Sequence, residues 1–574
     1  MNSHRHLLLG VAAAATLVVE STPAQPRPSA RVRAVVAGLS VRQQVGQLVM
    51  PWLLGDYTGF DADGLHRARG WIDSLEVGGI VISIGSPLDV ASKLNFLQRR
   101  SKLPLLIASD LEGGASFRFD GATPFPTNMG VAATGREPDA YTMGRITGFE
   151  GRAVGVHLTF SPVADVNNNP DNPVINTRSF GSDPVGVGRL VAANIRGLKA
   201  AGMLASAKHF PGHGDTDTDS HISLPVVGKA WTDLAAVELV PFRAAIAAGV
   251  DVIMSAHVAL PAFDRDSIPA TLSKKVMGAV LRDSLGFKGL VVTDALDMGA
   301  LVTKYGSGEA AVLAFEAGSD LLLMPADPRA AIVAMVEAVR SGRITRQRLA
   351  RSASRLVAMK EAAGLFQRRT VSLDRIGRVV GRQAFLDSAR AITRRSLVLV
   401  RDQANTVARL RREPGTLAVV TYGDGSAGAG FPGYLAERGH RVSAFRLSPT
   451  SGPASYDSAR MVLSQAPIGL FSVAVRVTTG SGSIAMPAAL AGLITERSRG
   501  GPTVVVSFGS PYLLNQVPTI PSLLLAWTSN PLTERAAARA LSGDPIGGRL
   551  PIALPPFAAL GDGIALPGTD ASDR

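Results

Sequence analysis

The chain has no cysteine in its 574 residues, which excludes a disulfide framework, a thiolate metal site and lipid attachment at cysteine. Aromatic residues make up only 5%, and no long block of one charge sign occurs. The formal net charge of +13 comes from scattered arginines, not from a basic stripe interleaved with aromatics, so no nucleic-acid partner is expected. Long hydrophobic runs are missing as well. The run near the N-terminus, Leu7 to Val19, has thirteen residues, whereas a bilayer span needs roughly 20. Arg5 precedes it and small residues lead to a plausible cut after Ala24. Residues 1–24 therefore read as a secretory signal peptide, and the mature chain is expected to be exported, periplasmic or secreted, with no stable membrane span.

What remains is a globular composition, 46% hydrophobic and 18% charged, in a chain longer than one hydrophobic core usually organises. Between Gln47 and Pro325, strand-length apolar runs recur: QLVMPWL, GGIVISIG, PLLIASD, HLTFSPVADV, MLASAKHF, VDVIMSAHV, GLVVTDALDM and DLLLMP. Helical stretches separate them, and Gly202, Gly249 and Gly318 stand where a helix should close before the next strand. Continuous apolar strands alternating with helices are the pattern of a parallel sheet covered on both faces. Asp110, Asp165, Lys208, His209, His257 and Asp294 all fall at the C-terminal ends of such runs. They can converge only if the sheet closes, so the expectation is an N-terminal (β/α)8 TIM-type barrel over residues 25–365. A linker over 366–395 and a C-terminal α/β sandwich over 396–574 follow, with strands SLVLV, TLAVVTY, HRVSAFRL, IGLFSVAVRV, TVVVSFGS and PSLLLAWT. The glycine-rich GDGSAGAGFPG lacks the spacing of a phosphate loop and reads as a turn.

The segment KHFPGHGDTDTDSH, residues 208–221, packs three histidines and three aspartates into fourteen residues of a chain with nine histidines in all. A calcium loop fails because Ser220 and Val226 stand where glycine and glutamate are required. A zinc pair of His209 and His213 fails because Pro211 and Gly212 forbid the helix that would align them. No metal is expected. A long loop leaving a strand end is more often functional than merely solvated. Proton transfer by a carboxylate-held histidine fits the composition, with Asp219–His221 and Asp215–His213 as alternative pairs.

This segment resembles the KH-F-P-G-x-G-x-x-x-x-D-S-H signature of bacterial β-N-acetylglucosaminidases of glycoside hydrolase family 3. Further motifs resemble the family in the same order: Asp110-Leu111-Glu112-Gly113-Gly114 with Arg118, Asn176 to Phe180, Met254 to Val258, Val292 to Met298, and ALSGDPIGGRLPIALP near the C-terminus. Ala115-Ser116 stands where many members have an arginine after the paired glycines. The resemblance implies a retaining β-N-acetylhexosaminidase that needs no cofactor. It implies Asp294 as nucleophile, His221 as acid and then base with Asp219 orienting it, and Asp110, Arg118, Arg178, Lys208 and His209 as contacts to a saccharide substrate. Asp297 reads as a residue of the following helix's first turn. His257, Asp165, Asp251 and Asp320 can equally be structural. Phosphorolysis, β-glucosidase activity and a non-catalytic cell-wall-binding role are the alternatives.

Overall fold

The computed structural model describes residues 28–59, 62–264, 268–477 and 484–569; the expected signal peptide lies outside them. Each expected apolar run of the first half forms a strand: β1 Val49–Met50, β2 Trp52–Leu54, β3 Gly79–Ser83, β4 Leu106–Ser109, β5 Leu158–Thr159, β6 Leu204–Phe210, β7 Val252–Ser255, β8 Leu290–Val292 and β9 Leu322–Leu323. β2 to β8 form one parallel sheet in chain order. β1 and β2 flank Pro51, β1 pairs with β9, and a parallel Val292–Leu321 bridge links the end of β8 to the residue preceding β9. The sheet is therefore curled, with its two outer strands brought round toward each other. β3 and β4 are buried at every position, which explains why they are apolar up to the serine, Ser83 or Ser109, that ends each: helices such as Pro87–Arg100 and Pro184–Ala200 cover the outer face. Gly202, Gly249 and Gly318 have φ of +71°, +75° and +133°, so each closes a helix in a conformation that strains any residue with a Cβ.

The second half forms a sheet of β10 Val398–Asp402, β11 Thr416–Tyr422, β12 Arg441–Leu447, β13 Ile468–Val473, β14 Thr503–Ser507 and β15 Ser522–Leu525. Its order is β10-β15-β14-β13-β11-β12, parallel except for β10 against β15. Two separate apolar clusters line it, one including Phe471 and Leu523, the other Leu470 and Leu524, as alternating strand residues facing opposite layers require. The stretch expected as a linker contains the helix Gln383–Ser396, whose Phe385, Ala389 and Ile392 are buried in the core of the first half. GDGSAGAGFPG leads through turns into the helix Phe431–Ala436. The two sheets are tied directly. Trp527 is fully buried, donates from Nε1 to Ser396 O at 2.6 Å, and packs so tightly on Gly130 that a Cβ there would stand 2.8 Å from its ring.

Candidate active site

A cavity of about 530 Å³ opens where the C-terminal ends of the curled sheet's strands face the second sheet. That size lies within the ~300–1,000 Å³ usual for small-molecule sites. Asp110, Arg118, Arg178, Lys208, His209, His221 and Asp294 all line it. Asp219 sits behind His221. Because the strands are parallel, Asp110, Lys208, His209 and Asp294 at their C-terminal ends and Arg118, Arg178 and His221 on the loops that follow meet in one place.

One wall is a charge network. Lys208 Nζ, on β6, is 2.7 Å from both Asp110 Oδ1 and Glu112 Oε1. Glu112 in turn binds Arg178 through two hydrogen bonds of 2.8 Å, from Nε and Nη2. Burial alone would raise the Glu112 carboxyl, but Arg178 and Lys208 overcome it and hold the group well below the ordinary carboxylate range. Burial likewise acts to lower Lys208, and Asp110 and Glu112 outweigh it, so the ammonium stays charged. Glu112 is the hub that sequence reasoning passed over. Its signal was an acid two residues past Asp110 at an otherwise apolar strand end. Arg118 approaches Asp110 at 3.7 Å, lies over the Phe117 ring, and keeps a buried Nε without a hydrogen-bond partner. It therefore reaches the cavity although Ala115-Ser116 replaces the expected arginine.

His209 is fixed by Asp165, whose Oδ2 is 2.7 Å from Nδ1 and whose carboxylate also accepts from the backbone N–H groups of His209 and His213. Asp165 is fully buried and so is a scaffold acid. His257 is also fully buried, bonded to Thr271 Oγ1 at 2.8 Å and to Ala295 O at 2.9 Å, and so holds the turn that carries Asp294. Asp294 accepts from the Ala295 N–H at 2.8 Å. Burial would raise its carboxyl, but His209, His257, that N–H and Lys208 together bring it below its ordinary value, leaving an ionised carboxylate facing the cavity. Asp297 differs: it is exposed, does not line the cavity, and is raised by desolvation and by the charge of Asp294. Asp251 pairs with Lys199, and Asp320 with Arg282, Arg348 and Arg355, away from the cavity.

The two alternative histidine–carboxylate pairs separate cleanly. His213 is buried, bonded to Thr216 Oγ1 at 2.7 Å and Ser220 Oγ at 3.1 Å, while Asp215 turns away to Lys229 at 3.0 Å. Burial pushes His213 down to about 4, so it is neutral at ordinary pH. His221 and Asp219 do meet. The Asp219 carboxylate, 2% exposed, accepts from His221 N at 2.9 Å and lies 2.8 Å from Nδ1, while the imidazole is 36% exposed. This leaves Nε2 toward the cavity. Among the described residues, no group of three or more His, Cys, Asp or Glu stands where it could hold a metal ion.

The rest of the wall comes from elsewhere. Trp52, Phe117 and Met298 supply apolar surface from the first half, and Arg476, Val477, Phe508, Trp527, Thr528, Ser529 and Asn530 come from the strand ends of the second sheet. An array of charged groups, an ionised carboxylate and a carboxylate-held imidazole thus share one cavity.

Residues 40–359 match the glycosyl hydrolase family 3 N-terminal domain. The chain is 30% identical over 555 residues to a beta-N-acetylglucosaminidase/beta-glucosidase of Cellulomonas fimi, covering 91% of this chain and 95% of that protein. It is 34% identical over 322 residues to beta-hexosaminidase A of Pseudoalteromonas piscicida, half of this chain and 54% of that one. Among solved structures it resembles a family 3 beta-N-acetylglucosaminidase from Paenibacillus sp. str. FPU-7, with a TM-score of 0.79 and 32% identity over 90% of this chain and 99% of that one. It also resembles a beta-glucoside phosphorylase, BglX, with a TM-score of 0.83 and 26% identity over 91% and 96%. The chain belongs to glycosyl hydrolase family 3 and is a glycoside hydrolase.

Proposed function

We propose that the protein is a retaining β-N-acetylhexosaminidase that removes terminal non-reducing N-acetylglucosamine from cell-wall or chitin-derived saccharides. The observation that carries this reading is the shared cavity: Asp294 and His221 open onto the same space as the Lys208, Arg178 and Arg118 cluster. The names of the relatives from Cellulomonas fimi, Pseudoalteromonas piscicida and Paenibacillus favour the N-acetylated sugar. On this reading the curled sheet closes as a (β/α)8 barrel within residues 25–365, a connecting segment spans 366–395, the second sheet forms the core of an α/β sandwich, and the chain is exported.

In the first step the Asp294 carboxylate attacks the anomeric carbon while His221, protonated, gives its Nε2 proton to the departing oxygen. A glycosyl ester on Asp294 results. In the second step neutral His221 takes a proton from water, the oxygen attacks the same carbon, and the Asp294 carboxylate leaves. Asp219, 2.8 Å from Nδ1, fixes the orientation of the ring. Lys208, Arg178, Arg118, His209 and Asp110 orient the sugar hydroxyls. No cofactor takes part.

The discriminating assay is release of 4-nitrophenol from the N-acetyl-β-glucosaminide and from the β-glucoside. The N-acetylated substrate should win by at least ~10-fold in kcat/KM, the scale of a few well-placed contacts. Preference for the plain glucoside contradicts the N-acetyl reading, and turnover of neither contradicts catalysis. Phosphate as acceptor is a second reading, favoured by the likeness to the phosphorylase and by Arg476, an exposed cation at the rim with no charged partner among the described residues. A sugar 1-phosphate formed in phosphate buffer identifies it.

A further inference from the structure

The segment from Pro211 to Lys229 carries His221 and has no helix or strand of its own; Ala300 N–H donates to Ser220 O at 3.3 Å and Val226 bridges Ala259 along its length, and its two ends are held separately. Both ends meet one buried group. Glu238 stands at the start of the helix Leu239–Ala247, with its side chain 1% exposed. At the leading end its carboxylate lies across Gly212: a Cβ there would stand 2.8 Å from both the Cβ and the Oε2 of Glu238. At the trailing end Lys229 Nζ is 3.7 Å from Oε1, and the same ammonium pairs with Asp215 at 3.0 Å, closing the segment on itself. Oε1 also accepts from Asn168 Nδ2 at 3.2 Å, on the stretch whose Asp165 fixes His209 and His213. Oε2 is buried without any hydrogen-bond partner. Leaving a buried carboxylate oxygen unmatched costs stability.

We propose that Glu238 is a positioning residue for the acid–base segment: seated on Gly212 and holding Lys229, it sets where His221 stands over the cavity. The inference rests on the reading of His221 as the proton donor. The ionised carboxylate is the anchoring form, because only it pairs with the Lys229 ammonium; the bond from Asn168 can persist in either form. Protonation releases Lys229 to Asp215 alone. The charged groups facing Glu238 are Lys229 and Asp215 on the segment and Asp165 on the neighbouring stretch. Burial, helped by Asp165 and Asp215 and opposed by Lys229, pushes the Glu238 carboxyl up to about 7, so the anchor loosens as the pH falls through the neutral range.

The test is kcat against pH for wild type, Glu238→Gln, Lys229→Met and His221→Ala, each on 4-nitrophenyl N-acetyl-β-glucosaminide and on N,N′-diacetylchitobiose, whose leaving group is poor. Glu238→Gln should lose roughly 10- to 100-fold on the disaccharide, the scale of a misplaced catalytic group, and much less on the aryl glycoside. Its acid limb near pH 7 should vanish. Lys229→Met, which removes the cation that the carboxylate holds, should lose the same limb and slow the disaccharide at every pH; this decides the matter alone should Glu238→Gln not fold. A retained limb in Lys229→Met, a wild-type profile in Glu238→Gln, or an equal loss on both substrates at every pH overturns the proposal. Where His221→Ala distinguishes the substrates and Glu238→Gln does not, only the role of Glu238 falls. Where His221→Ala fails to distinguish them, the proton-donor reading falls and this proposal with it.

Discussion

Asp294 and Asp297 are three residues apart, yet their surroundings drive them in opposite directions. Asp294 is turned toward two histidines and a lysine and is held ionised, whereas Asp297 is raised, chiefly by desolvation and in part by the charge of Asp294. The proposed nucleophile is thus distinguished by its neighbours. The same logic separates His221 from His213: one shares an edge with solvent and a buried carboxylate, the other is enclosed by two hydroxyls and kept neutral. His221→Ala is accordingly expected to lower kcat by roughly 10²- to 10⁴-fold on glycosides with poor leaving groups, the usual worth of a general acid. Activated aryl glycosides, which need little protonation, should lose far less. Rates across a series of leaving groups check this, since a flat series contradicts proton donation by the imidazole. The sequence alone could not choose between the two pairs. Both have carboxylate and imidazole two residues apart, and only the turn of the backbone decides which carboxylate meets which ring.

Among the elements, the helix Arg346–Ala362 carries an isolated buried cation. Lys360 is 1% exposed, and among the described residues its hydrogen bond is to the neutral Gln47 Oε1 at 2.6 Å. Burial pushes its amine down to about 7 from an ordinary 10.5. Between those two values the unfolded chain holds a proton that the folded chain does not, so this group's contribution to stability rises with pH across that window and is most unfavourable below about 7. Lys360→Met, which keeps the volume and removes the charge, should raise Tm by about 1–3 °C at pH 6 net of the lost bond to Gln47. The gain should shrink toward pH 9. Thermal melts at the two pH values check it; a gain that grows with pH contradicts the assignment. Strands were legible at this scale because burial on both faces leaves a nearly continuous apolar run, as in β3 and β4, where the serine at the C-terminal end is the one polar residue. The helix Gln383–Ser396 was not, because its arginines mark an exposed face while Phe385 and Ile392 find their core only in the tertiary contact.

Across the whole molecule, the two sheets share the cavity, and the second contributes its strand ends as the first does. Arg476, exposed and without a charged partner among the described residues, faces the rim on the side remote in sequence from every catalytic motif. Arg476→Ala should raise KM for disaccharides by roughly 3- to 10-fold, the loss of one charged contact, and leave kcat and KM for the aryl glycoside nearly unchanged. Steady-state kinetics on the two substrates check this; equal effects contradict a leaving-group contact. The amino-acid sequence by itself determined the succession of apolar strands, the glycines that close their helices, and the strand-end positions of Asp110, Lys208, His209 and Asp294, because periodicity and turn chemistry act over a few residues. Only the tertiary structure decided that Glu112 joins Lys208 to Arg178, that Asp219 rather than Asp215 meets a cavity-facing histidine, and that residues beyond 470 complete the wall. Those are meetings between distant segments, fixed by how helices and sheets pack, and no local pattern encodes the distance between two groups that the chain brings together only on folding.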